Sequence, residues 1–330
     1  MNSLIFFVIG LLGLWLGSTL VVEFSKRLAL RFNISQTLIG LTVISIGTSL
    51  PEIMTNIMSG LKISSGGVQS VAASGIAIGT NIGSDLTQIT FILGVTAIIG
   101  TIYASKKTLF RDGGMVLLSI VLVFIFGLTG GRFSFFEGIT VVVLYIIYLY
   151  VISKDDHVLD KISNEMNYEH GHKKEKKGML KDSFFVAVGI GILIYASHLV
   201  VSGALELSEL WGVSESFIGV MIVGVGTGLP ELSTAITGIL KKADGISLGT
   251  LIGSNITDPM FSLGLGAIAS GSFGLLFEKN LLFFDIPYWF IVSIIAFLLL
   301  GRKMKLGRKE GIALLSFYVL FVILKIRFFM

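Results

Sequence analysis

The sequence predicts an all-α membrane protein: ten transmembrane helices in two inverted five-helix repeats, with broken helices at the centre. Three observations lead there. The 330-residue chain is 53% hydrophobic and only 14% charged, with a mean hydropathy of +0.89, too apolar for an ordinary soluble domain. Two stretches nearly repeat each other, GLTVISIGTSLPE over 40–52 and GVMIVGVGTGLPE over 219–231. Each is followed by a second echo, GTNIGSDLTQ over 79–88 and GTLIGSNITD over 249–258.

Apolar runs long enough to cross ~30 Å of hydrocarbon lie near 3–25, 36–60, 70–100, 113–130, 134–153, 183–205, 214–240, 245–271, 281–300 and 309–328. The first begins without the basic segment of a cleaved signal peptide and continues too far for one, so it reads as a spanning helix. The third and eighth are long and glycine-rich, and are expected to be bent or broken. Between the fifth and sixth, residues 154–182 are dense in Lys, Asp, Glu and His with no apolar period, the signature of a linker. The chain thus divides into a first repeat (1–153), a polar linker (154–182) and a second repeat (183–330).

An offset of 179 lays Ser18 on Ser197, Gly40 on Gly219 and Glu52 on Glu231; beyond that it becomes 170, laying Ser84 on Ser254. Five spans per half is an odd number, so the halves lie in the membrane with opposite orientation. Many secondary transporters follow that plan, with the site at the repeat interface near the midplane. Lys and Arg divide 20 to 5 between the two sides. The richer side holds the linker, which predicts a cytoplasmic linker and both termini outside.

Composition also excludes. With no Cys, disulfides, thiolate metal sites and Cys nucleophiles are ruled out. The net charge of +4 resides in loops, and no basic stripe interleaved with exposed aromatics suggests nucleic acid.

Chemistry concentrates in the duplicated motifs. Pro51 and Pro230 have no N–H and clash with the carbonyls four residues back, those of Gly47 and Gly226, so each span should break and free backbone oxygens. Glu52 and Glu231 follow at once, and a charge at that depth costs several kcal/mol unless it is compensated. Ser84 and Gln88, like Ser254 and Asp258, are spaced i, i+4 on one helix face. Asp85 and Asn255 stand beside the serines. The halves exchange acid for amide: Asp85 and Gln88 in one, Asn255 and Asp258 in the other. The centre therefore offers carboxylates (Glu52, Asp85, Glu231, Asp258), hydroxyls (Thr48, Ser49, Ser84, Thr227, Ser254), amides and carbonyls. An all-oxygen set suits a hard cation, Ca2+ or Na+ before Mg2+, which gives up its water reluctantly.

These motifs resemble the two alpha-repeats of the cation/calcium exchanger superfamily, and most closely those of prokaryotic sodium/calcium exchangers; the likeness covers the whole ten-span layout. It implies a secondary active antiporter in which Na+ moving down its gradient drives Ca2+ the other way by alternating access, with the first and sixth helices sliding across the rest. It implies ion ligands at Thr48, Ser49, Glu52, Ser84, Gln88, Thr227, Glu231, Ser254 and Asp258, and carbonyl ligands near Ser45 and Gly224. Ca2+ and Na+ would be transported ions bound in a lipid-embedded monomer that is not an enzyme and needs no cofactor. Three positions depart from the pattern: Gly228 replaces a serine, Gln88 an asparagine, and Asp85 adds a carboxylate.

Other readings are open. Asp85 motivates a proton-driven Ca2+ antiporter, in which H+ joins the site by like-charge repulsion among its acids; the same fold could also exchange another cation. Asp85 itself faces either the cavity or a water pocket beside it. An intramembrane aspartyl protease would pair two aspartates, whereas here two glutamates lead, and a passive channel would favour a symmetric pore. A structural ion pair is the bland reading of Glu52 and Glu231, but the motif helices supply no Lys or Arg. Ser84 and Ser254 could be packing serines beside glycines. His198 is expected to be a buried, satisfied histidine, Glu23 an interfacial residue, Thr80 and Asn81 helix-breaking or supporting groups, and Glu169, His170 and His172 solvated linker.

Overall fold

The computed structural model of the protein describes residues 2–31, 45–66, 70–153, 176–240 and 244–329. In the first half, α1 (Asn2–Arg31) is followed by α2 (Ser45–Thr48) and α3 (Leu50–Ser64), the two sides of the first motif break. α4 (Ser70–Leu86) continues through a π-helical segment (Thr87–Ile92) into α5 (Leu93–Ile99). Then come β1 (Ile102–Tyr103), a π-helical turn (Thr108–Asp112) leading into α6 (Gly113–Gly130), β2 (Arg132–Phe133) and α7 (Phe135–Ser153).

The second half opens with α8 (Lys176–Trp211) and repeats the order. α9 (Glu215–Ile218), a π-helical segment (Gly219–Val223) and α10 (Gly224–Thr227) precede the break, and α11 (Leu229–Leu240) follows it. α12 (Asp244–Thr257), a π-helical segment (Asp258–Ser262) and α13 (Leu263–Ala269) form the eighth span, followed by β3 (Leu275–Leu276). A π-helical turn (Leu281–Asp285) leads into α14 (Ile286–Lys303), and β4 (Lys305–Leu306) precedes α15 (Arg308–Phe329). Eight of these helical stretches are long and apolar enough to cross a membrane. The other two expected spans are α12–α13 and the second span, whose residues 36–44 lie outside those described.

Inversion is legible in two small antiparallel ribbons. β1 pairs with β4, Ile102 opposite Leu306, and β2 pairs with β3, Phe133 opposite Leu275. One ribbon joins segments after the third and ninth spans, the other segments after the fourth and eighth. A chain that crosses at every span places these on opposite faces. The repeat extends to single turns: Gly131 and Met304, each just before a ribbon strand, both adopt left-handed backbone, at φ 64° and 52°. Glycine adopts this freely and methionine at a cost.

The third and eighth spans do not break. Each is interrupted by a wide π-helical segment that starts at Thr87 or Asp258. Pro259 lacks the N–H that an α-turn needs, which accounts for the second; the first carries Ile89 at that position. π-Segments of this kind are frequent at functional sites.

Two clusters of buried apolar side chains form. The larger draws on both halves, from Ile63 and Leu86 to Trp289 and Phe321. The smaller is centred on α1 and α8, with Phe7, Leu14, Leu193 and Val200. Small residues bring these two helices close: a Cβ at Gly13 would stand 2.8 Å from that of Ala196. α8 starts at Lys176, within the expected linker, and runs past the expected end of the sixth span. His198 lies on its exposed face rather than buried. Glu23 is exposed and paired with Arg27 one turn on. Glu169, His170 and His172 lie outside the described residues.

A buried ion pair, missed by the hydropathy reading, joins the last two spans. Lys325 Nζ stands 2.5 Å from Asp285 Oδ2, with the two side chains 1% and 0% exposed. Lys325 is therefore no loop charge, although the sequence places it among them. Removing one partner of such a pair strands the other charge and costs about 3–5 kcal/mol. Lys325→Met should markedly lower the thermal midpoint in detergent, and Lys325→Met with Asp285→Leu should recover much of the loss; equal midpoints for wild type and Lys325→Met would show the pair to be dispensable.

Candidate cation site

The two motif breaks are alike in shape and slight in size. Ser49 (φ −78°, ψ 3°) and Gly228 (φ −77°, ψ 1°) are each the single residue that leaves the helix. Pro51 and Pro230 then occupy the first turn of the next helix, where a missing N–H costs nothing. Behind the first break, the Gly47 carbonyl is not free: Ser18 Oγ of α1 donates to it at 2.9 Å. The equivalent Ser197 turns back on its own helix and donates to Ile194 O. The expected pair of freed carbonyls is thus filled by a protein hydroxyl on the first side.

Backbone contact brings the halves together. α4 presents Gly79 and Gly83 to the Gly219–Val223 segment, and a Cβ at Gly83 would overlap the Val220 carbonyl oxygen. Gly224 answers from the other side, its ideal Cβ position only 2.6 Å from Ser84 N. No larger residue fits such a seam, and it sets Ser84 and Asp85 beside the second motif.

Four carboxylates converge there. Glu52, Asp85, Glu231 and Asp258 are all 0% exposed, and every pair among them lies within Coulombic reach. Each glutamate takes a hydroxyl from the serine of its own half: Ser84 Oγ donates to Glu52 Oε1 at 2.7 Å, and Ser254 Oγ to Glu231 Oε1 at 3.4 Å. Thr48 crosses the interface to donate to Glu231, and the Ser49 hydroxyl lies beside Asp258. Gln88 Nε2 donates to Ser84 Oγ at 3.0 Å and reaches Asp258 Oδ2 at 3.4 Å. Among the described residues no Lys or Arg pairs with any of the four acids.

Oxygens remain over. Glu52 Oε2, Glu231 Oε2, Asp258 Oδ1 and both oxygens of Asp85 are buried without a hydrogen-bond donor. Among the described residues no three acidic or imidazole groups form a ready-made metal cage, so a cation here would be held by carboxylates mixed with hydroxyls and amides.

Not every expected ligand points inward. Thr227 Oγ1 and Gly228 N both donate to Gly224 O, at 3.3 and 3.2 Å, so that carbonyl and that hydroxyl serve their own turn. Ser45 opens α2 as Gly224 opens α10. Thr80 and Asn81 bond to carbonyls one turn back on an unbroken α4, supporting the helix rather than breaking it. Asp85 lies within reach of Glu52, Glu231 and Asp258. One group and one contact escaped the sequence reading. Asn255 Nδ2 donates to Gln88 Oε1 at 2.9 Å, and the Tyr145 hydroxyl meets Thr257 Oγ1 at 2.8 Å beside Asp258. Asn255 was visible as the amide traded for Asp85; Tyr145, one aromatic in an apolar run, gave no signal.

Comparison with known proteins decides the family. A profile described as sodium/calcium exchanger protein matches residues 2–154 and 182–327. The chain belongs to the sodium/calcium exchanger family. It is 33% identical over 317 residues to an uncharacterized membrane protein of Methanocaldococcus jannaschii, covering 96% of this chain and 95% of that one. To the sodium/calcium exchanger MaX1 of Methanosarcina acetivorans it is 27% identical over 348 residues, covering 96% of each. Among solved structures, the sodium-calcium exchanger NCX_Mj soaked with Na+ and Sr2+ is similar with a TM-score of 0.63 at 29% identity, covering 97% of this chain and 98% of that one. As a member of this family the protein is a multi-pass membrane transporter, not an enzyme.

The seam and the second-half departure at Gly228 make opposite predictions. Gly83→Ala overpacks backbone, a change that costs typically 1–3 kcal/mol and sometimes more, and should lower the detergent melting point and the folded yield. A Cβ at Gly228 meets nothing nearer than 3.4 Å, so Gly228→Ser should fold like wild type. A destabilised Gly228→Ser alongside an unaffected Gly83→Ala would reverse the packing described.

Proposed function

We propose that the protein exchanges Na+ for Ca2+ across a cell membrane by alternating access, binding the ions at an oxygen-lined site between the two repeats. One observation carries this reading: four fully buried carboxylates from both halves share one space with no protein cation among the described residues to offset them. Such groups are expensive at membrane depth, and mobile cations offset the charge when they bind. An oxygen-only set selects hard ions. Glu52 and Glu231, each with its serine, supply the symmetric core of the site. Asp258, Thr48, Ser49, Ser84, Ser254, Gln88 and Asp85 surround them, while Thr227 and the Ser45 and Gly224 backbone would join only after their turns rearrange. The relatives named for sodium/calcium exchange support the choice of ions.

α1 and α8, which supply most of the smaller apolar cluster, are the natural moving pair. The excess of Lys and Arg on one side supports a cytoplasmic linker and external termini. The protein would work as a monomer, with no resident cofactor. Asp85 favours a second reading, in which protons replace Na+ as the driving ion.

Flux through reconstituted vesicles separates the two. Uptake of radiolabelled Ca2+ into Na+-loaded proteoliposomes should require an outward Na+ gradient; uptake that follows a pH gradient and ignores Na+ transfers the reading to the proton. Glu52→Gln and Glu231→Gln should each reduce uptake by at least about 10–100-fold, the scale seen when even a group supporting a metal ligand is lost. Retained exchange in either variant moves the site elsewhere.

A further inference from the structure

The π-helical segments that carry Gln88 and Asp258 are gripped from outside in the same way. An offset of 173 lays Gly131 on Met304 and Tyr145 on Tyr318, while the offset of 170 lays Thr87 on Thr257 and Phe91 on Phe261. The structure joins these equivalents crosswise. Tyr145, on α7 of the first half, reaches the eighth span in the second. Its hydroxyl stands 2.8 Å from Thr257 Oγ1, and its ring centroid 5.3 Å from that of Phe261, tilted by 30°. Tyr318, on α15 of the second half, reaches the third span in the first. Its hydroxyl is hydrogen-bonded to Thr87, and its ring centroid lies 5.3 Å from that of Phe91, tilted by 46°. Each tyrosine thus holds a threonine at the start of a π-segment and a phenylalanine near its end.

Hydrogen-bond accounting gives the grip a direction. Thr257 spends its one hydroxyl proton on Gly253 O, at 2.9 Å, so the buried Tyr145 donates to Thr257. π-Helix is rare, and each segment needs a reason from outside its own backbone. Pro259 serves for the second segment only, because the equivalent position in the first is Ile89. The tyrosine grip is common to both. Its leverage on the site follows from position: Gln88 and Asp258 come directly after the gripped threonines, so the grip sets which way each side chain turns about its helix. Tyr145 also lies within Coulombic reach of Asp258.

We propose that Tyr145 and Tyr318 are a repeat-related pair of positioning residues: each reaches across from the opposite half, holds the π-helical turn of the eighth or third span, and so aims Asp258 or Gln88 into the cation site. The effect on ions rests on the exchange reading; the hold itself does not.

Backbone hydrogen exchange, read by mass spectrometry on the full-length protein in detergent without added Ca2+, tests the hold. Tyr145→Phe keeps the ring and loses the hydroxyl. It should speed hydrogen exchange over residues 258–262 by about fivefold, the scale of one net hydrogen bond, and leave 87–92 unchanged. Tyr318→Phe should do the reverse. Thr257→Val removes the same bond from the other side; it should match Tyr145→Phe, and the double variant should add nothing further. If Tyr145→Phe does not fold, Thr257→Val carries the test. Hydrogen exchange that rises evenly along the whole chain, or stays unchanged in both segments, overturns the proposal. The aim is read by equilibrium dialysis against radiolabelled Ca2+. Tyr145→Phe should weaken binding about 10–100-fold, as loss of a group supporting a ligand does, and Tyr318→Phe less, because it turns an amide rather than a carboxylate. Undiminished Ca2+ binding by Tyr145→Phe overturns the aiming role. Wild-type protein that binds no Ca2+ sinks the exchange reading instead, and hydrogen exchange still decides the hold.

Discussion

The site depends on two backbones touching. Carboxylates from opposite halves can share a space only if the helices that carry them approach more closely than side chains normally permit. Gly79 and Gly83 on one side and Gly219 and Gly224 on the other remove the obstruction. A membrane interior offers little hydrophobic drive to pull helices together, so such contacts rely on packing and hydrogen bonds. That requirement explains the glycine content better than flexibility does. The seam places Ser84 and Asp85 against the second motif. Ser84 then meets Glu52 from its own half while Gln88 reaches across to Asp258.

Much of this could be read from the residues, and what was missed has physical causes. The doubled glutamates announce themselves because a charge in an apolar run needs a reason, and a duplicated one needs a functional reason. The ten-helix order followed from hydropathy because lipid permits few alternatives to a helix. The Gly47 carbonyl looked free because proline removes a local bond; whether a hydroxyl from α1 then fills the gap is a tertiary fact that no local pattern carries. Asp285 and Lys325 were hidden because a matched pair leaves the average hydropathy of each span high. The first π-helical segment has no proline to mark it. Asn255 was seen as a neighbour of Ser254, but its bond to Gln88 needs both halves in place.

The halves are alike in backbone and unlike in chemistry. At the first break Thr48 and Ser49 both direct hydroxyls towards acids of the second half. At the second, Thr227 bonds to its own turn and Gly228 has no side chain to direct. Glu231 therefore receives a hydroxyl across the interface and Asp258 has one beside it, whereas among the described residues no second-half hydroxyl returns the contact to Glu52. An ion entering this space would meet a graded rather than a mirror-symmetric set of oxygens.

The small ribbons have a mechanical consequence. Each stitches a loop of one repeat to a loop of the other, and the pair does so at both ends of the bundle, with the larger apolar cluster filling the space between. Eight helices are therefore clasped top and bottom into a frame, and parting its halves would tear both clasps and open the core at once. α1 and α8 contribute no strand to either clasp. They are the two spans that no stitch holds.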